Sequence, residues 1–168
     1  MRAAEPAEVQ FLQGPAHGVN DAMTHTYTSL YTHVTFSTSR RKPLITDPAR
    51  LHAYLCGITR ELRAHTIIVG GVKDHVHMLV ETRPTVALSE LVGVVKGNSS
   101  KWMNETFGRS FAWQRGFGAF SVSKSNLDTV TEYIRDQERH HQVRSFEEEF
   151  KALLARNHVE YDPQFLWK

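Results

Sequence analysis

Residues 66–81 read Thr66-Ile67-Ile68-Val69-Gly70-Gly71-Val72-Lys73-Asp74-His75-Val76-His77-Met78-Leu79-Val80-Glu81, and this stretch decides the fold. Two runs rich in β-branched residues are separated by a short polar turn, which is the pattern of a strand hairpin. Thr66 to Val72 is expected as one strand, with Gly70 and Gly71 marking a bend or bulge. His75 to Glu81 is expected as its partner. Side chains two apart on a strand share a face. His75 and His77 therefore project together, while Val76, Met78 and Val80 face the other way into a core. Two neutral imidazoles with bases about 6–7 Å apart can converge on one metal ion. A solvated sheet face would show the same alternation, and two ligands are too few, so a third must come from elsewhere in the chain.

Upstream, Tyr27 to Thr38 is β-branched and aromatic and is expected as a strand, followed by a basic turn at Arg40, Arg41 and Lys42. Asp47 then Pro48 is a helix cap with proline in the first turn, and Leu51, Leu55, Ile58 and Leu62 follow at helical spacing. Cys56 falls in this pattern and is expected as a buried, inert thiol. Downstream, Thr85 is placed to cap a second helix with a stripe of Leu88, Leu91, Val92, Val95, Trp102 and Met103. Phe111 to Ser123 reads as a strand kinked at Gly116 and Gly118. Asn126 to His141 reads as a third helix, with Leu127, Val130 and Ile134 on its apolar side. Ser145 with Glu148 forms a capping box that opens a fourth, with Phe146, Phe150, Leu153 and Leu154 inward. The order β-α-β-β-α-β followed by two helices predicts an α+β fold, a ferredoxin-like or RRM-like antiparallel sheet with helices on one face plus C-terminal helices.

The 168 residues suit one domain, expected over 25–168 behind a disordered leader at 1–24 that lacks an apolar period. No apolar run approaches the roughly 20 residues of a membrane span, and the acidic, proline-bearing start does not read as a signal peptide. A cytoplasmic protein without membrane partners is expected. One cysteine excludes an intrachain disulfide and a thiolate metal cluster. Net charge is only +2, but residues 96–124 hold Lys96, Lys101, Arg109, Arg115 and Lys124 against the single acid Glu105. Residues 126–168 hold six basic and nine acidic residues. One part of the fold is thus expected to be positive, as a phosphate backbone would require, although solvated surface cations give the same count.

The third helix carries Tyr133-Ile134-Arg135-Asp136-Gln137, and residues four apart share a helix face. Tyr133 and Gln137 form a short polar patch there. A glutamine carbonyl can complete a metal site begun by two imidazoles, with a tyrosine one turn away. The same pair is equally compatible with a core-edge tyrosine and a solvated amide.

Taken together, His75-Val76-His77, Tyr133 with Gln137, the segment Trp113-Gln114-Arg115-Gly116-Phe117-Gly118-Ala119-Phe120-Ser121-Val122-Ser123 and the tail from His140-His141 to Leu166-Trp167 resemble the single-tyrosine HUH transposases of small bacterial insertion sequences, the IS200-like family. The resemblance runs from Tyr27 to the end, with Lys73 where proline is more usual and Phe117 where tyrosine is common. It implies that Tyr133 attacks a phosphodiester of single-stranded DNA to give a 5′-phosphotyrosine, beside Mg2+ or Mn2+ held by His75, His77 and Gln137. It further implies a homodimer acting on hairpin ends. Arg40, Arg41, Lys96, Lys101, Arg115 and Lys124 are candidate DNA contacts, with Trp102, Phe107, Phe111 and Trp113 interleaved as stacking or core aromatics. Three other readings share these residues: a domesticated relative that processes chromosomal hairpins, a non-catalytic nucleic-acid-binding module that does not need Tyr133, and a metal hydrolase that uses water as nucleophile.

Overall fold

The computed structural model describes residues 27–108, 110–164, 166 and 167; the expected leader at 1–24 lies outside them. Four strands form one antiparallel sheet: β1 (Tyr31–Ser37), β2 (His65–Val72), β3 (His75–Glu81) and β4 (Gly118–Val122), in the order β2-β3-β1-β4. Helices α1 (Pro48–Glu61) and α2 (Leu88–Phe107) are the crossovers, which makes this the expected ferredoxin-like arrangement. Three further helices follow: α3 (Leu127–Arg135), the single turn α4 (Gln137–His140) and α5 (Phe146–Arg156).

Strand alternation assigns the two faces. Val34 and Phe36 of β1, with Val76, Met78 and Val80 of β3, pack against Leu51, Leu55 and Ile58 of α1 and Leu91, Val92, Val95 and Met103 of α2. Each such fully buried aliphatic side chain contributes about 1.5–3 kcal/mol. Opposite them, α3, α4 and α5 cover the face that carries Tyr31, His33, Thr35, His75, His77, Leu79 and Phe120. The molecule therefore has three layers, and β3 from His75 to Val80 is buried throughout. Polar residues on that covered face cannot be solvated and must find partners inside the protein.

Gly70 and Gly71 serve close approach rather than a bulge. A Cβ on Gly70 would lie 2.1 Å from the Ile134 carbonyl oxygen of α3. Gly71 has φ +139° and a Cβ there would lie 2.3 Å from the His75 carbonyl oxygen, at the hairpin turn. The register shift in β2 falls instead between Thr66 and Ile68.

Several local expectations are corrected. The first strand begins at Tyr31, and Tyr27 is 90% exposed. Asp47 caps α1 as expected, its side chain accepting from the Arg50 N–H at 3.1 Å. Thr85 does not cap α2; the helix starts at Leu88 after Ala87, because Val86 N–H donates to the Arg83 carbonyl and closes a turn first. Cys56 is exposed, since the buried stripe of α1 runs through Leu51, Leu55, Ile58 and Thr59 and turns position 56 outward. The strand expected over Phe111–Ser123 is regular only from Gly118; before it, Trp113 pairs in a single bridge with Thr38. Ser145 and Glu148 form the expected capping box on α5.

Candidate active site

Beneath α3, α4 and α5 the sheet presents His75 and His77, both fully buried. Their outer nitrogens are already committed. His75 Nδ1 is 2.7 Å from Asp74 Oδ1, and a carboxylate can only accept, so this nitrogen carries the proton. His77 Nδ1 lies 2.8 Å from Nε2 of His33, which sits on the same face of neighbouring β1. Both rings thereby aim Nε2 inward, the orientation in which a metal-binding histidine is held by its second nitrogen. Burial keeps His33 and His77 neutral, lowering them to about 3 and about 4.

The helical layer completes the cluster. The expected helix over Asn126–His141 breaks at Asp136, whose φ and ψ of −90° and 18° separate α3 from α4. Tyr133 and Gln137 consequently lie on either side of a break rather than on one continuous helix, yet both reach the histidine pair. The Tyr133 ring centroid is 5.9 Å from that of His77. Gln137 is buried, with Oε1 3.2 Å from His75 Nε2.

At the centre stands Glu149 of α5, 4% exposed. Its Oε1 accepts from the Tyr133 hydroxyl and, at 2.9 Å, from Gln137 Nε2. Its Oε2 lies 3.3 Å from His77 Nε2 and 3.0 Å from His141 Nε2. Burial alone would raise this carboxyl, but hydrogen bonds from His141, His77 and Tyr133 outweigh it and hold the group well below the usual carboxylate range. Tyr133 is pushed upward by burial, and then by the Glu149 charge, so the resting phenol keeps its proton. Phe146 stacks on His75 at 4.4 Å and closes the site toward α5.

Ligand chemistry fits a divalent cation. Donor atoms of His75, His77, His141 and Glu149 all lie within 4.8 Å of one another, and the Gln137 carbonyl adjoins them. Neutral imidazoles and a carboxylate are the protonation states that metals require.

Sequence reasoning brought His75, His77, Tyr133 and Gln137 together but missed His33, Asp74, His141 and Glu149. Signals for two of these were present. His33, Thr35 and Ser37 alternate with the core residues Val34 and Phe36, which puts a third histidine on the polar face. Glu149 interrupts the inward stripe of Phe146, Phe150 and Leu153, an unusual place for an unpartnered acid.

The basic candidates scatter. Arg41 pairs with Glu147 at 3.5 Å and lies over the Trp167 ring at 4.5 Å. Exposed Arg115 lines a groove of about 280 Å³ that also includes Phe117, Phe146 and Trp167. Arg40 is exposed in the adjoining turn. Lys96 is committed to the Gln114 and Gly116 carbonyls, and burial lowers it to about 8. Lys101 faces Glu105 on α2, in the layer opposite the site. Lys124 lies over the Tyr31 ring at 5.3 Å. Trp102, Phe107, Phe111 and Trp113 all pack on the α1–α2 core.

Known proteins resemble this chain in sequence and in fold. Residues 26–137 match the family model described as "Transposase IS200 like". The transposases for insertion sequence element IS200 of Salmonella typhimurium and Salmonella typhi are each 38% identical over 72 residues, covering 38% of this chain and 46% of the relative. The chain thus spans about half the length of these curated relatives. Two solved structures share the fold. A proposed transposase of Deinococcus radiodurans has a TM-score of 0.54 at 21% identity, covering 66% of this chain and 93% of that one. A REP-associated tyrosine transposase bound to a REP hairpin has a TM-score of 0.53 at 15% identity, covering 71% and 74%.

Proposed function

The chain belongs to the IS200-like transposase family, and from that membership we propose that it cuts and rejoins single-stranded DNA with Tyr133 as nucleophile. The observation that carries the reading is the Tyr133 hydroxyl, which donates to Glu149 beside the Nε2 atoms of His75 and His77. Tyr133 Oη attacks the phosphorus of a phosphodiester. A P–O bond to tyrosine forms as the P–O3′ bond breaks, leaving a 5′-phosphotyrosine and a strand ending in a 3′-hydroxyl. Glu149 Oε1, already the acceptor of the phenol, receives its proton, and the departing 3′ oxygen takes one from water. Attack by a 3′-hydroxyl on the same ester reverses the step, so the covalent bond conserves the energy for rejoining. A divalent cation, expected as Mg2+ or Mn2+ and held by His75, His77 and Gln137, would supply positive charge for the phosphate and the leaving oxygen.

Around this centre, Arg115 in the groove and Arg41 over Trp167 are suited to contacting a phosphate backbone, with Arg40 and Lys124 as further candidate contacts. Lys96 acts by holding the 114–116 loop in shape, and Lys101 is the weakest DNA candidate. Hairpin-bearing single strands and a homodimer complete the proposal. Among the described residues no helix is long and apolar enough to cross a membrane.

The test is covalent capture. Incubation with single-stranded DNA from the locus that flanks the gene yields a protein–DNA adduct stable to denaturation. Tyr133→Phe removes one oxygen and little volume, keeps the fold and DNA binding, and abolishes the adduct. Cleavage by Tyr133→Phe near the wild-type rate would assign the attack to water.

A further inference from the structure

His75 presents a chemical problem that Gln137 alone does not solve. With Nδ1–H donated to Asp74, a neutral His75 has only a lone pair at Nε2. That lone pair faces two acceptors, Gln137 Oε1 at 3.2 Å and Glu149 Oε2 at 3.8 Å. Turning the Gln137 amide over would relieve one contact but set its carbonyl against Glu149 Oε1, which now accepts the amide N–H at 2.9 Å. His77, held through His33, also brings Nε2 toward Glu149 Oε2, and His141 approaches the same oxygen from the helical layer. Three imidazole nitrogens and a carboxylate oxygen thus converge within 4.8 Å, in a place nearly closed to water. Without an ion, His77 and His141 donate to Glu149 Oε2 and the His75 Nε2 lone pair is left without a donor; a shared cation would displace the two protons and satisfy all four ligand atoms at once.

We propose that the cation of this site is held by four protein ligands, His75, His77, His141 and Glu149, so that one ion ties α5 to β3. The inference rests on the metal-site reading above and replaces Gln137 as ligand with two residues from the C-terminal segment. Division of labour within Glu149 makes this compatible with strand cleavage: Oε2 faces the imidazoles, while Oε1 serves Tyr133 and Gln137. Gln137 then acts by orienting the carboxylate through its N–H rather than as a ligand. Three imidazoles and one carboxylate suit Mn2+, Co2+ or Zn2+ better than Mg2+, which prefers oxygen and retains its water.

Cobalt provides the direct test. The full chain, freed of metal with a chelator, is titrated with Co2+ and followed by visible absorption, and parallel samples with Zn2+ or Mg2+ are followed by calorimetry. The four-ligand site gives the intense visible bands of four-coordinate Co2+, and Zn2+ binds far more tightly than Mg2+. Glu149→Gln and His141→Ala each weaken Zn2+ binding about tenfold or more and bleach the cobalt bands. Amide exchange over residues 146–156 slows when Zn2+ is added to the wild type and does not change in Glu149→Gln. His141 lies at the edge of the helical layer, so His141→Ala still reports if Glu149→Gln folds poorly. A pale six-coordinate Co2+ spectrum that both substitutions leave unchanged, but that His77→Ala removes, would overturn the four-ligand site and leave the His75–His77–Gln137 reading standing. Binding indifferent to His77→Ala would overturn both.

Discussion

Gly70→Ala is the sharpest perturbation the fold offers, because it strikes the seat of the tyrosine helix without touching the site. The added methyl would sit 2.1 Å from the Ile134 carbonyl oxygen and 2.8 Å from Ile134 Cγ2, where ordinary contact begins at 3.4 Å. Since the nearer atom is backbone, no rotamer change relieves it, and α3 must lift from β2 by about 1 Å. Overpacking of this order costs about 1–3 kcal/mol. For a chain of this size that lowers the melting temperature by roughly 2–12 °C. Tyr133 precedes Ile134 in the chain and moves with it. A displacement of about 1 Å at a reacting group costs on the order of 100-fold in rate. Thermal melting and the rate of adduct formation on single-stranded DNA are measured together. Trimming the side chain by Ile134→Val in the Gly70→Ala background does not restore either, because the carbonyl remains. A Gly70→Ala protein that melts and cuts like the wild type would refute the described seating of α3 on β2.

Three further outcomes follow from the geometry of the site. His33→Ala deprives His77 Nδ1 of its partner and lowers metal affinity about 10–100-fold by calorimetry; unchanged affinity would show that His77 is oriented by packing alone. Metal-free protein loses stability between pH 7 and pH 5, read as a lower urea midpoint. The sign follows from His33 and His77, lowered by burial to about 3 and about 4: the unfolded chain takes up protons below 6.5 and the folded chain does not. At pH 5 this costs about 2 kcal/mol for each ring, opposed in part by His141, for which burial is outweighed by Glu149 and whose folded form favours the proton; equal midpoints at both pH values would contradict the neutral burial of these rings. Finally, mixing Tyr133→Phe with His75→Ala protein restores no cleavage, because Tyr133 stands over the histidines of its own chain; recovered cutting would mean that subunits exchange helices.

Much of this site was legible because strand alternation is strict. The sequence His75-Val76-His77 puts two imidazoles on one face whatever surrounds them, and the apolar Val76, Met78 and Val80 say which face is core. Helical spacing brought Tyr133 and Gln137 to the same neighbourhood, although the break at Asp136, marked by neither glycine nor proline, was not readable. What escaped were relations between elements. Nothing local says that His33 lies beside His77, since that depends on the register of β1 against β3. Glu149 shares the inward stripe of Phe146, Phe150 and Leu153, so its burial was readable, but its partners Tyr133, His77 and His141 lie on other elements and were not. Thr85 and Cys56 were misread because cap and stripe patterns tolerate a shift of one or two residues that tertiary packing then decides.

The order in which these side chains occur along the chain has a consequence for biosynthesis. His33 is made early, and Glu149 arrives only in the last helix before the C-terminal tail. While α5 is still within the ribosome, the four-stranded sheet is already translated but lacks the carboxylate to which Tyr133 and Gln137 donate. Under the proposed mechanism, a nascent chain, or one ended early by a premature stop codon, is therefore born without the acceptor for the tyrosine proton.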